Sequence, residues 1–282
     1  MAAGVISAAT DRLAAAGCAP ASSGWIDEGK AADLWFAMDP VAARGALEGR
    51  FDGVDVIVQA AEGRAKALLV ADMDSTMITV ECIDELADYA GIKAEVAAVT
   101  ERAMRGELDF EAALDARVAL LAGLDEAVIE RCLAERVTIM PGARALVRTM
   151  RARGALTVLV SGGFTRFAEP VAAEIGFDRA IANRLAIADG RLTGTVVKPI
   201  VGAATKRATL LAAADERELA SAATLAVGDG ANDLAMIEVA GLGVAYRAKP
   251  VVSAAAAARI EHGDLTALLH AQGIARARWV MD

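Results

Sequence analysis

The 282-residue chain carries a formal net charge of −9, is 56% hydrophobic and is only 4% aromatic. Its hydrophobic fraction is sufficient for a buried core, whereas the acidic balance argues against a nucleic-acid partner or an anionic membrane surface. Its three scattered cysteines and two histidines offer little for a disulfide scaffold, a zinc finger or a histidine triad.

The first 64 residues predict a small α+β unit. Helices are expected over 5–17 and 41–49, and strands over 31–38 and 55–60. The start of the chain lacks a basic segment ahead of an apolar core, and no uncharged apolar run approaches the ~18 residues that span a bilayer. We therefore expect a cytoplasmic protein with reduced thiols.

From residue 65 onward, strands and helices alternate. Strands are expected over 65–72 and 155–160, and the eighty residues between them show only helical periodicity. This order predicts an α/β domain over 65–282 with a Rossmann-like parallel sheet, helices on both faces and a helical cap inserted at about 78–140. The cap helices are expected over 81–90, 92–105, 109–122 and 125–135.

Two further segments complete the prediction. Alternating runs over 184–197 flank Asp189-Gly190, a dipeptide typical of a type I′ turn, and so predict a hairpin. The alanine run at 254–258 is interpreted as helix.

The first chemical motif is LLVADMDST, an apolar strand that ends in Asp72 and Asp74. These carboxylates share one face of the strand and follow its carboxyl end, where open α/β sheets bind ligands. One can act as metal ligand and nucleophile while the other donates and accepts a proton. For this motif alone, a solvated turn that contains two acidic residues by chance is about as common as a catalytic pair.

The second motif is LAVGDGAND, again an apolar strand that runs into a glycine turn, with Asp229, Asn232 and Asp233. Hard oxygen ligands at two strand ends suit Mg²⁺. The alternative for Asn232 is an Asx turn that caps the helix expected over 231–241.

The third motif is TVLVSGGF, in which a strand is expected to end at Ser161 before Gly162. A hydroxyl and exposed N–H groups before a helix can cradle phosphate oxygens, although a single serine there is more often an N-cap. Lys206, expected near the start of a helix, is the fourth candidate, and a single lysine is usually surface.

Taken in order, DMDST, SGGF, Lys206 and GDGAND resemble the four motifs of the haloacid dehalogenase (HAD) superfamily of phosphatases. The resemblance implies a HAD-type fold, a Mg²⁺ cofactor and phosphoryl transfer through an aspartate. It implies Asp72 and Asp74 as catalytic residues and Ser161, Gly162 and Lys206 as phosphate ligands. The implied metal set is Asp72, Asp74 through its backbone carbonyl, Asp229 and Asp233.

Within the superfamily, the stretches DMDSTMITVECIDELADYAG and AMRGELDFEAALDARVALLAGL resemble the phosphoserine phosphatases. This resemblance implies that Glu81 binds the substrate ammonium group, that Arg117 binds its carboxylate, and that Met104 and Phe110 close over it. Asn232 is expected near the substrate. Without the resemblance, Glu81 and Arg117 are interpreted as surface residues.

The resemblance leaves alternatives open. The same core residues serve a phosphatase or phosphotransferase of another small phosphate ester. A regulatory amino-acid-binding protein with a vestigial phosphatase is the alternative of a different class, whereas a transport ATPase is excluded by the missing membrane spans. Residues 1–64 are compatible with a degenerate ACT-like domain, and a homodimer is one expected assembly.

Overall fold

The computed structural model describes residues 3–281. A small N-terminal unit precedes a larger sheet that is interrupted by a helical insert. Within the described residues the helices are α1 Ala3–Ala15, α2 Pro40–Leu47, α3 Cys82–Tyr89, α4 Lys93–Met104, α5 Phe110–Ala119, α6 Ala127–Arg136, α7 Ala143–Ala152, α8 Thr165–Ile175, α9 Ala203–Glu216, α10 Leu234–Ile237, α11 Pro250–Ala255 and α12 Ala267–Ala271. The strands are β1 Pro20–Asp27, β2 Ala31–Phe36, β3 Leu68–Ala71, β4 Leu156–Phe164, β5 Arg179–Ala188, β6 Arg191–Val197, β7 Thr224–Gly228, β8 Leu242–Tyr246 and β9 Ala258–Ile260.

The large sheet has the strand order β6-β5-β4-β3-β7-β8-β9. All neighbours are parallel except β5 and β6, which form the antiparallel hairpin. Because β3 lies between β4 and β7, the carboxyl ends of these three strands meet at one edge, which confirms the predicted α/β fold.

Two apolar cores cover the two faces of this sheet. Leu69 and Ala71 contribute to one core, together with side chains from the insert, α7, α8 and α12. Leu68 and Val70 contribute to the other, together with side chains from α9, α10 and α11. Neighbouring residues of β3 therefore point to opposite faces, and each face is buried as in other doubly covered parallel sheets.

The helical insert confirms the periodicity seen in the sequence, with helix bounds that differ from prediction by one to three residues. An isolated bridge between Ile78 and Ile139 joins its two ends. Its far side contacts the β5–β6 hairpin, where the Glu126 N–H donates to the Gly190 carbonyl over 2.9 Å. The insert is thus hydrogen-bonded to the turn of the hairpin.

The hairpin turn has the predicted geometry. Asp189 and Gly190 adopt φ angles of 50° and 72°, which is the left-handed pair that a type I′ turn requires. By contrast, the predicted alanine helix at 254–258 is only partly right, because α11 ends at Ala255 and Ala258 begins β9.

The N-terminal unit differs from the prediction in one strand. Residues 55–60 form no strand, because their polar side chains bond to the C-terminal region. The Asp55 carboxylate accepts from backbone N–H groups of 261–263, and Gln59 donates to the Ala271 carbonyl over 2.6 Å. The antiparallel partner of β2 is β1, a Ser- and Gly-containing segment that the sequence did not indicate as a strand.

Among residues 3–281, no helix is both long and apolar enough to cross a membrane.

Candidate active site

The carboxyl ends of β3, β4 and β7 place the predicted chemical motifs around one cavity. Asp72 follows β3, Ser161 lies near the end of β4, and Asp229 follows β7. The Asp72 N–H donates to the Val227 carbonyl over 3.0 Å, so a backbone hydrogen bond ties the end of β3 to the end of β7.

A buried chain of charges links Asp72 to the helix α9. The Lys206 ammonium lies 2.6 Å from Asp72 Oδ1 and 2.7 Å from Asp233 Oδ1. Asp233 Oδ2 accepts from the backbone N–H groups of Asp229 and Gly230 over 3.1 and 3.0 Å. Both oxygens of Asp233 are therefore engaged, one by Lys206 and the other by the loop after β7.

The turn after β7 requires a glycine at position 228. A Cβ atom there would lie 2.4 Å from Asp233 Cγ, far inside any real contact. The absent side chain thus lets Asp233 fold back beneath its own loop. The helix that the sequence indicates over 231–241 is shorter, with a 3₁₀ turn over Ala231–Asp233 followed by α10.

The pKa values at this site reflect crowded negative charge. Burial, and then the charge of Asp233, raises the pKa of Asp72, against the opposing effect of Lys206. Burial and Asp233 also raise the pKa of Asp229 to about 6. For Lys206, burial lowers the pKa, but the two neighbouring carboxylates outweigh it and the net pKa is raised.

The donor set fits a hard divalent cation. One carboxylate oxygen from each of Asp72, Asp229 and Asp233 lies within 4.8 Å of the other two. Three buried or half-buried carboxylates surround a single ammonium, so a cation would relieve the repulsion between them. With Asp233 engaged elsewhere, Asp72 and Asp229 are the side chains best able to coordinate, and oxygen ligands suit Mg²⁺.

Asp74 lies beside this cluster in a different environment. Its Oδ1 is buried without a hydrogen-bond partner among the described residues. Burial, and then the charge of Glu81, raises the pKa of Asp74 to about 7, against the lowering effect of the Cys82 thiol and N–H. A carboxyl group with such a pKa can give and take a proton near neutral pH.

The loop at the end of β4 is held from within and from the next strand. The Gly163 N–H donates to Ser161 Oγ over 2.8 Å. The strand does not end at Ser161 as predicted but continues to Phe164, and α8 begins at Thr165. The pairing of β4 with β5 is irregular between Val160 and Phe164. Asn183 Nδ2 on β5 donates to the Gly162 carbonyl over 2.8 Å.

The insert contributes Glu81, Phe110 and Arg117 to the same cavity, which has a volume of about 110 Å³. Ser75 Oγ donates to Glu81 Oε1 over 2.6 Å. Burial lowers the pKa of Arg117, partly offset by nearby acids that include Glu81. The structure thus brings both predicted headgroup residues to the cavity that also contains Asp72.

The remaining predicted residues are placed as follows. Asn232 lines the cavity next to Gly162. Met104 is the last residue of α4, and its side chain lies outside the described part of the structure.

Sequence reasoning missed two residues at this site. Asn183 is buried, and its amide bonds to both the loop after Ser161 and the Val201 backbone. Its sequence neighbourhood gives little signal, because Arg184 follows it directly and Arg179 begins the same strand. Lys249 lines the cavity from the loop before α11, and no motif drew attention to it.

The chain is similar to proteins of known family. Residues 69–238 match the family model of haloacid dehalogenase-like hydrolases. The chain is 48% identical over 240 residues to the phosphoserine phosphatase of Streptomyces coelicolor, covering 84% of this chain and 58% of the relative. It is also 48% identical over 200 residues to that of Streptococcus thermophilus, covering 71% and 93%.

A solved structure of a phospho-aspartyl intermediate analogue of phosphoserine phosphatase aligns with a TM-score of 0.68 at 38% identity. The alignment covers 73% of this chain and 98% of that one. The chain spans between 58% and 64% of the length of the first three curated relatives it matches.

Proposed function

Because the chain belongs to the haloacid dehalogenase-like hydrolase family, we propose that it hydrolyses O-phospho-L-serine to L-serine and phosphate through an aspartyl-phosphate at Asp72. The observation that carries the proposal is a single cavity that holds both the paired aspartates of the sheet and the Glu81–Arg117 pair of the insert. The names of the similar proteins support the same substrate.

In the first chemical step, an Asp72 carboxylate oxygen attacks phosphorus. The bond between phosphorus and the serine oxygen breaks, and the carboxyl group of Asp74 gives its proton to that oxygen. The raised pKa of Asp74, about 7, supports this role, because a protonated carboxyl group is then available near neutral pH. Lys206 keeps Asp72 oriented through its contact of 2.6 Å with Oδ1.

In the second step, water attacks the phosphorus of the aspartyl-phosphate. Asp74, now ionised, takes the proton from this water, and the Asp72 carboxylate leaves as inorganic phosphate forms. Asp74 ends the cycle protonated and Asp72 ends it ionised, so both return to their starting states.

Negative charge spreads over the phosphoryl oxygens during both steps. The Ser161 hydroxyl, the Gly162 N–H and the Lys206 ammonium are the proposed partners of these oxygens. Mg²⁺, when bound by Asp72, Asp229 and the Asp74 carbonyl, supplies further positive charge there. Asp233 and Asn232 hold the surrounding groups in place.

Substrate choice is assigned to the insert. Glu81 is proposed to bind the ammonium group of serine and Arg117 its carboxylate, for which the planar guanidinium can use two parallel hydrogen bonds. Phe110 and Met104 are proposed to close over the bound headgroup and keep out water.

The remaining parts of the proposal concern organisation. We assign residues 1–64 to an N-terminal domain of ACT-like descent and 65–282 to the phosphatase, with its cap at about 78–140. A cytoplasmic enzyme is proposed, in which Cys18, Cys82 and Cys132 stay reduced; all three are free and buried. A homodimer is the proposed assembly.

The test is phosphate release from L-phosphoserine beside a panel of small phosphate esters, with Mg²⁺ or with EDTA. We expect Mg²⁺-dependent release that prefers phosphoserine and is abolished in Asp72→Asn. Preference for another ester would refute the substrate but keep the phosphatase, whereas activity that survives in Asp72→Asn would refute the nucleophile.

A further inference from the structure

Lys249 occupies a fixed position at the edge of the cavity. It directly precedes α11, whose first residue is Pro250, and its backbone N–H donates to the Asp229 carbonyl over 3.2 Å. The side chain is exposed and lines the cavity. The main chain of Lys249 is thereby tied to the loop that carries a candidate metal ligand, while its ammonium stays free to face solvent.

The charge of Lys249 differs from that of the other cations near the cavity. Lys206 is fully buried and shared by two carboxylates at 2.6 and 2.7 Å. Arg117 is half-buried in the insert, within electrostatic reach of three acids. The Lys249 ammonium has no ion pair and no side-chain hydrogen bond within residues 3–281.

This unpaired charge stands at the entrance of a strongly acidic site. Asp72, Asp74, Glu81 and Asp229 line the cavity, and the whole chain has a net charge of −9. A phosphate dianion that approaches such a site meets repulsion, which an ammonium at the entrance reduces. The same ammonium repels a divalent cation bound at the Asp229 carboxylate, because both charges are positive and Lys249 and Asp229 line the same cavity.

We propose that Lys249 is a positioning residue for anions: it draws the phosphoryl group of substrate and product into the cavity, and it weakens divalent metal binding at Asp229. This inference rests on the proposed function for the identity of the substrate. Its physical content, however, is a pair of opposite effects on two ligands, and each can be measured by binding alone.

The variants are Lys249→Gln, which removes the charge, and Lys249→Arg, which keeps it. Lys30→Gln is the matched control, because Lys30 is an exposed lysine between β1 and β2 and its loss changes the net charge equally. Calorimetry measures binding of Mg²⁺ alone and of inorganic phosphate at a fixed, saturating Mg²⁺ concentration, both at low ionic strength.

In Lys249→Gln we expect phosphate affinity to fall about 3- to 10-fold while Mg²⁺ affinity rises about 2- to 3-fold. Lys249→Arg and Lys30→Gln should both match wild type. At about 0.5 M salt both differences should shrink, because screening removes long-range attraction and repulsion alike. Changes of opposite sign in the two affinities distinguish loss of the charge from damage to the loop, because a damaged loop would weaken the binding of both ligands.

With phosphoserine as substrate, Lys249→Gln should lose more in kcat/KM than in kcat. Affinities that fall together, or that do not change, would overturn the inference. The variants could show the expected opposite effects on Mg²⁺ and phosphate binding while the wild-type protein does not hydrolyse phosphoserine. That outcome would refute the proposed substrate alone.

Discussion

At the scale of single residues, the buried carboxylate of Asp233 forms several of the hydrogen bonds that hold the site together. Asp233 is fully buried, yet it accepts from Lys206 and from two backbone N–H groups. A buried charge of this kind is tolerated only while all its partners are present. Asp233 therefore matters for the site without any need to touch the substrate.

The first prediction concerns Asp233→Asn, which keeps the shape of the side chain and removes its charge. Lys206 would keep only Asp72 as a charged partner, and an amide NH₂ would face either the ammonium or two N–H donors. We expect the free energy of unfolding in urea to fall by about 3–5 kcal/mol. The exposed Asp189→Asn, at a turn position that suits asparagine, is the control and should be near neutral. Equal stabilities for both variants would contradict the account.

The second prediction concerns Asn183, which holds the Gly162 carbonyl and both polar groups of the Val201 backbone. In Asn183→Ala these buried groups lose their partners, so we expect stability to fall by about 1–3 kcal/mol. Because the loop after Ser161 loses its anchor, kcat should fall as well. A variant that is destabilised but retains full kcat would show that the contact is structural only.

At the scale of elements, one aromatic ring of the insert contacts the loops that line the cavity. Phe110, the first residue of α5, lies against the backbone of Gly162 and Gly202. A Cβ at these glycines would lie 3.0 and 3.3 Å from ring atoms of Phe110. The absence of side chains at the two glycines thus makes room for Phe110, which contacts both the loop after Ser161 and the start of α9.

The third prediction uses Gly202→Ser. The φ angle of Gly202 is −126°, which serine adopts without strain, and serine is favoured at this N-cap position. The added side chain therefore acts mainly by displacing Phe110, and we expect KM for phosphoserine to rise several-fold, with stability nearly unchanged. Gly24→Ser is the control, since nothing lies within 4 Å of a Cβ there. Identical KM values for Gly202→Ser and Gly24→Ser would contradict the proposed contact of Phe110 with Gly202.

Elements also show what the sequence could predict. The strands that lead into Asp72 and Asp229 and the cap helices are predictable because their apolar runs and periodicity are local signals. β1 is not, because Ser22, Ser23 and Gly24 have low strand propensity and pair only in the context of β2. Contacts such as Phe110 with Gly202 depend on distant segments meeting, and no pattern within either segment encodes them.

At the scale of the whole molecule, polar contacts join the N-terminal unit to the larger α/β part. Within the N-terminal unit, Arg64 donates to Asp33 through two bonds of 2.7 and 2.6 Å, and the same guanidinium donates to the Ala271 carbonyl of the larger part over 2.7 Å. Asp27 accepts from the Arg276 N–H and contacts His270 Nε2, each over 2.8 Å. The Asp27 carboxylate thus joins the two parts directly, so we expect their attachment to be sensitive to acid.

The fourth prediction follows from Asp27. The Arg276 N–H, opposed by burial and assisted by His270, lowers the pKa of Asp27 below its ordinary value of 3.8. A lowered pKa in the folded state gives stability that is present above the unfolded-state value and is lost as pH falls through the folded-state pKa. Asp27→Ala should therefore be less stable than wild type at neutral pH, with a difference that shrinks below about pH 4.

Denaturant unfolding from neutral pH down to about pH 3 measures this difference, with the exposed Asp11→Ala as the control. A difference between wild type and Asp27→Ala that stays constant or widens on acidification would contradict the assigned role. The control should show no comparable change with pH.

The most direct test of the account is the ratio of kcat/KM for L-phosphoserine to that for p-nitrophenyl phosphate, measured in wild type and in Arg117→Ala. In the proposed mechanism Asp72 and Asp74 carry out phosphoryl transfer, whereas Arg117 recognises only the headgroup. We expect the ratio to fall by about 30-fold or more, as the loss of a charged bidentate contact implies, with aryl phosphate turnover largely retained. Equal losses on both substrates would contradict the separation of chemistry from recognition.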